Sequence, residues 1–256
     1  MGARGSPALG SALSRRFDGV LFTIALLLVW QVMARVVGSS GLSTPLATLG
    51  ALERLFVRAS FWQNVAATAD AFALAVLFSL AGGLVIGLLL GLSRFAGDVF
   101  DPIVNAITAI PKITLYPVIL LFFGLGLSAK VAFGTIHGIF PVIILTMNGV
   151  RNIRPVVRKA ARVMLLTPLQ TVRNVLLPAA LPEIFSGMRI GVSLALLGTL
   201  VGELFASDRG VGFLLIQSVE HSDVPTVMAL TLLLFAVAIV GGTIMLQLDR
   251  RLHQEG

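Results

Sequence analysis

Apolar runs of about twenty residues recur along the chain, and each is long enough to cross a hydrocarbon core of about 30 Å. Backbone inside such a core must satisfy its own hydrogen bonds, so each run is predicted to be a helix. The chain reads as an all-α, polytopic membrane protein. Composition agrees: 57% of its residues are hydrophobic and 12% charged, where a soluble domain of this length carries about a quarter charged residues. With no cysteine, disulfides, thiol catalysis and cysteine-based metal sites are excluded. The net charge of +7 would suggest nucleic acid in a soluble chain. Here it is read as positive charge held on the cytoplasmic face.

Residues 1–19 form a short basic tail ahead of an apolar run from Val20 to Val37. Trp30, Gln31 and Arg35 stand where a signal peptidase site would need small residues, so the run is read as a retained first span. Six spans are predicted, at about 20–38, 65–92, 102–124, 130–149, 183–206 and 224–248. Residues 39–62 are expected to be an external or interfacial linker, partly amphipathic, with a permease-like core over 63–250 and a C-terminal tail at 251–256. With the N terminus inside, Arg35 and Lys112 fall within spans and Arg54, Arg58, Lys130 and Arg209 fall outside. The remaining thirteen of the 19 lysines and arginines fall inside. That bias predicts both termini to be cytoplasmic.

The longest internal loop, 151–180, is basic and bounded by prolines. Val156 to Leu166 is predicted helical, with Arg158, Lys159 and Arg162 among apolar residues. Thr167, Pro168 and Gln170 then supply an N-cap, a first-position proline and the reciprocal acceptor of a capping box. A second short helix is expected to run to about Leu177, with Pro178 and Pro182 limiting its continuation into the fifth span. Such a stiff helix-turn-helix suits docking to a cytoplasmic subunit. The competing reading is a basic loop held by anionic headgroups.

The stretch "KAARVMLLTPLQTVRNVLLPAALPEIFSGMRIG" resembles the cytoplasmic EAA loop of ABC importer permeases, with Ala160, Ala161, Gln170, Val175, Leu177 and Pro178 matching its pattern. "IPKITLYPVILLFFGLGLSAK", "FPVIILTMNGVRNI" and "GELFASDRGVGFLLI" are similar to the nitrate, sulfonate and taurine branch of that family, and the resemblance covers about residues 60–250. It implies a type I importer fold in which two permease copies form the path. Each loop would sit in a groove of an ATPase subunit that binds ATP and Mg, and an external binding protein would deliver the solute. Leu165 would belong to that docking surface. Lys159 departs from the family's usual Glu and Leu165 from its Gly, which reverses a charge at the contact and removes an easy left-handed turn. Replacing Ala160 or Ala161 with a bulky acidic residue is expected to uncouple ATP hydrolysis from transport with the fold intact. The branch handles nitrate, sulfonates, taurine, aromatic carboxylates and vitamin precursors, and nothing in the sequence chooses among them.

Gly83, Gly87 and Gly91 in the second span, and Gly187, Gly191, Gly198 and Gly202 in the fifth, form small-residue stripes that are expected to let helices pack closely. Ionisable residues inside a membrane are functional candidates by default. Lys112, His137 and Glu203 are therefore path candidates, Lys112 with the alternatives of snorkelling or of pairing with Asp101 or Asn105, and His137 with that of a ring satisfied by a backbone carbonyl, while for Glu203 the resemblance implies a structural role orienting the Gly210–Gly212 turn. Asn105, Thr114, Tyr116, Asn148, Ser193 and Thr199 are further polar residues available to a path. There is no Gly-x4-Gly-Lys-Ser/Thr, so the chain carries no Walker cradle for ATP. No catalytic or metal residues are expected. A self-sufficient secondary transporter or channel is the other class considered. Neither an inverted repeat nor a deep acidic pair supports it.

Overall fold

The computed structural model describes residues 8–254, with side chains described for residues 18–205 and 207–247. Among the described residues all regular structure is helical. The helices are α1 (Ala8–Val37), α2 (Pro45–Val57), α3 (Ala59–Leu92), α4 (Arg94–Ala109), α5 (Tyr116–Phe123), α6 (Leu127–Arg151), α7 (Pro155–Val163), α8 (Pro168–Thr171), α9 (Leu177–Ala206), α10 (Val211–Glu220) and α11 (Val224–Gln254). Five stretches are long and apolar enough to span a membrane, and the number is six if the bent pair, α4 with α5, is counted as one span.

Three boundaries differ from the sequence expectation. The first helix begins at Ala8 rather than near residue 20, so part of the basic tail is helical, and residues 1–7 and 255–256 lie outside the described residues. The third span is two segments set at 88°. Ile110, the residue before Pro111, is held extended at φ −68° and ψ 127°, as the proline ring requires of its predecessor. A 3₁₀ turn, Lys112–Leu115, then leads into α5. The fifth span has no break at Pro178. It runs from Pro168 to Phe205 through a π turn, Val172–Leu176, in which the Leu177 N–H donates to the Val172 carbonyl. The wider turn changes which carbonyls need donors, and Pro178 falls in the first turn of α9, where its missing N–H is no loss.

The chain forms two compact units, residues up to 58 with 217–232, and residues 59–216 with 233 onward. In the first, the Trp30 indole donates to the Ser43 carbonyl at 2.9 Å, and Thr44 caps α2 by accepting from the Ala47 N–H. Asp223 caps the start of α11 by accepting from the Thr226 N–H at 3.2 Å and its hydroxyl at 2.6 Å.

In the second unit α6 packs between α3 and α9. The glycine stripes line those contacts. A Cβ on Gly83, Gly87 or Gly91 would stand 2.6, 2.7 or 2.9 Å from the Cβ atoms of Val142, Thr146 and Val150 on α6. On the α9 side, Cβ atoms at Gly191 and Gly198 would come within 2.8 and 2.6 Å of the Gly138 and Phe133 carbonyls, and Gly187 and Gly202 are similarly close to Leu145 and Lys130. Lipid offers no hydrophobic drive between helices, so backbone approach of this kind supplies the dispersion contact that holds them.

Candidate functional site

The segment after α6 is built from three consecutive local devices. Pro155 opens α7 in the position where a proline fits best. The Arg158 guanidinium turns back and donates to the Val150 and Arg151 carbonyls at 2.7 and 2.9 Å, covering the open C-terminus of α6. Ala161 is 2% exposed, and half-buried Val157 packs at the edge of the cluster that Val150, Ile153, Ala180 and Ile184 form at the loop end of the bundle.

The end of α7 is a Schellman motif. The Leu166 N–H donates to Ala161 and the Leu165 N–H to Arg162, at 3.3 and 3.1 Å, and Leu165 takes the left-handed position at φ 51°. A left-handed turn that ordinarily takes Gly is therefore made here with Leu. The capping box follows at once: Thr167 Oγ1 accepts from the Gln170 N–H at 3.3 Å, and Gln170 Oε1 from the Thr167 N–H at 3.0 Å. These two turns project Val163, Met164, Leu165 and Leu169 into the open, at 83, 69, 88 and 77% exposure. Lys159, Ala160, Arg162 and Pro168 are exposed around them, and Leu177 and Pro178 lie back at the root of α9.

Arg94, Arg151, Arg158, Lys159 and Arg162 line a cleft of about 560 Å³ beside this loop, with no acidic residue in its wall among the described residues. Asp98 and Asp101 stand next to it, bonded to and 3.8 Å from Arg151 respectively. Asn148 lines the adjoining cleft, so it belongs to the loop end of α6.

At the other end of the bundle Glu203 is fully buried. Its carboxylate accepts from the Thr68 hydroxyl and the Gly212 N–H, each at 2.9 Å, and lies 3.7 Å from the Lys130 ammonium. Thr68 in turn accepts from the Val211 N–H at 2.8 Å, and Asn64 Oδ1 from the Gly210 N–H at 2.6 Å. Lys130 donates to the Arg209 carbonyl at 2.9 Å. Three successive amides at the start of α10 thus find side-chain acceptors on α3 and α9, and the carboxylate sits where the helix dipole favours it. Glu203 is a clamp for the turn rather than a group facing open space.

Most of the other polar candidates are satisfied close to home. Asn105 donates to Asp101 at 2.8 Å, Thr114 to the Pro111 carbonyl at 2.7 Å, Ser193 to Arg189 at 3.1 Å and Thr199 to Ala195 at 2.9 Å. Tyr116 donates to the Phe205 carbonyl and its ring packs against Phe133 and Phe205. His137 Nδ1 bonds the Phe133 carbonyl at 2.8 Å, and its ring stacks on Phe133. Lys112 stands at the break of the bent pair, 3.4 Å from the Thr108 carbonyl and 5.8 Å from the centre of the Phe140 ring. Asp101 and Asn105 face each other and Arg151, not Lys112.

Residues 83–254 match the family described as binding-protein-dependent transport system inner membrane component. The chain belongs to that family. This permease is 30% identical to the putative aliphatic sulfonates transport permease protein SsuC of Bacillus subtilis, over 86% of the chain and 80% of the relative. It is 31% identical to a probable ABC transporter permease protein of Haemophilus influenzae over 88% and 92%. To the taurine transport system permease protein TauC of Escherichia coli it is 30% identical over 85% and 82%. Among solved structures it is similar to the MetNI methionine ABC transporter in an inward-facing conformation, with TM-score 0.64, 25% identity and 77% and 96% coverage. An amino acid ABC transporter at 20% identity and TM-score 0.62, over 82% and 100%, shares the fold. The protein is therefore a multi-pass inner-membrane transport component, of a family whose members are permease subunits and not enzymes.

Sequence reasoning missed three features of the permease. Beyond Leu165, the apolar tip at Val163, Met164 and Leu169 carries no sequence signal, because apolar residues in an amphipathic helix ordinarily face inward. Ala161 was grouped with Ala160, yet it is buried, so an acidic residue there would disturb the fold. Lys130, Thr68 and Asn64 carried no local sign of their role, since their partners lie up to 146 residues away.

Proposed function

We propose that this permease is the membrane half of an ATP-driven importer for a small anion, and that the α7–α8 loop is the contact through which a separate ATPase drives it. The observation that carries this reading is the loop's construction. A Schellman turn and a capping box, back to back, hold four large apolar side chains in the open on a segment rimmed by cations. Exposed apolar groups held rigidly are what a partner's groove requires. In this reading both termini and the loop are cytoplasmic, two copies of the chain enclose the path, and ATP and Mg are bound by two ATPase subunits. A binding protein delivers the solute at the α10 end. ATP-dependent closure of the ATPases moves the paired loops together, and the spans rock around the path. The relatives named for aliphatic sulfonates, nitrate and bicarbonate support an anionic cargo.

The test is purification of the tagged chain from its native host in mild detergent, followed by mass spectrometry of what accompanies it. Stoichiometric ATPase and binding protein are the expected result. A homo-oligomer that transports without any ATPase would overturn the proposal in favour of a self-sufficient transporter.

A further inference from the structure

The chain has three lysines, and the structure gives each a different setting. Lys159 lies exposed on the loop. Lys130 is 3% exposed and paired with Glu203. Lys112 is half-buried, and no carboxylate among the described residues lies within ion-pair distance of it. Its height can be read from its neighbour. Phe140 is 13 residues from the start of α6 at Leu127 and 11 from its end at Arg151, which at 1.5 Å per residue is about 20 and about 17 Å from the two ends. A lysine beside that ring is near mid-membrane, too deep to reach either surface by extending its stem.

A cation at that depth is costly unless something of opposite charge or strong polarity meets it. Among the described residues Lys112 has one long contact to the Thr108 carbonyl and the face of Phe140, a cation–π contact worth far less than a counter-ion. The nearest acidic residue in sequence, Asp101, is already engaged by Asn105 and Arg151. The 88° bend at Ile110–Pro111 is what puts the ammonium there, because it carries the chain sideways at the middle of the span instead of straight on to the next interface.

We propose that Lys112 is the residue that meets the cargo's negative group within the membrane: its ammonium is left without a carboxylate so that a sulfonate, nitrate or carboxylate oxygen can supply one in transit. This rests on the importer reading above, which already makes the cargo an anion, and adds to it a specific contact. A weakly held, unpaired cation also suits passage, since an ion must leave the site as readily as it enters.

The test uses the complex as purified, reconstituted in lipid, and a small amine-reactive reagent with the modified lysines read by mass spectrometry. Methanesulfonate, nitrate and benzoate are the probes, with neutral dimethyl sulfone as the control. The expected result is that at least one anion lowers modification of Lys112 by about tenfold when present at about ten times its dissociation constant, while dimethyl sulfone does not and Lys130 stays unmodified throughout. Equal modification in all buffers would overturn the proposal. So would a Lys112 that never reacts, which would mean that a second copy or the lipid already covers it. If no ATPase accompanies the chain, the importer reading fails by that measurement alone, and the protection pattern of Lys112 still judges the anion contact.

Discussion

Leu165 holds a conformation that L-residues avoid at a cost of about 1–2 kcal/mol, in a turn whose two amide bonds are both made. Leu165→Gly is expected to stabilise the turn by about 1 kcal/mol, visible as slower hydrogen exchange at the Leu165 and Leu166 amides. Its transport should fall, because the same change removes one of the exposed apolar groups at the tip. Faster exchange would mean that the left-handed turn is not populated. A second single-residue effect concerns Glu203. Glu203→Gln leaves Lys130 buried without its counter-charge, and removing one member of a buried pair costs about 3–5 kcal/mol. Thermal unfolding in detergent should show a large loss, and adding Lys130→Met should restore much of it. An equally large loss in the double variant would assign the role to the Thr68 and Gly212 bonds and not to the charge pair.

At the scale of elements, the α7–α8 loop separates two neighbouring alanines that look alike in the sequence. Ala160 is exposed, and Ala161 is buried at 2% exposure. Ala160→Glu should leave the melting temperature within the effect of an ordinary surface change, about 0.5 kcal/mol, while abolishing coupled transport. Ala161→Glu should lower the melting temperature as well, because it buries a carboxylate. Unimpaired transport by Ala160→Glu would remove the loop from the docking surface. What was legible here follows from range. The capping box joins Thr167 to Gln170 within one turn, and the glycine stripes repeat at steps of four or seven residues, so both could be read directly. The left-handed Leu165 carries no signal in its residue type. The continuity through Pro178 depends on a π turn that hydropathy does not register, and the bend at Pro111 was overlooked because the apolar run continues on both sides of it. Of the partners of Glu203, Gly212 lies nine residues on, but Thr68 and Lys130 are set by helix packing between α3, α6 and α9, and no short window of sequence contains them.

At the scale of the whole molecule, the apolar surface is turned outward: of the windows spanning Asp18–Val37 and Val224–Gln247, 6% and 11% is buried within the chain. Lipid and a second copy are what such surface can face. Orientation then decides whether the loop meets an ATPase at all, and the asymmetry of lysine and arginine predicts that it faces the cytoplasm. The absence of cysteine makes this directly measurable. Met164 is 69% exposed at the loop, and the Asp208 side chain is 82% exposed at the opposite end of α9. In intact cells a membrane-impermeant maleimide should label Asp208→Cys, and should label Met164→Cys only after permeabilisation. The reverse pattern would put the loop outside, leave the ATPase no surface to engage, and return the cations around it to a role at the external lipid face.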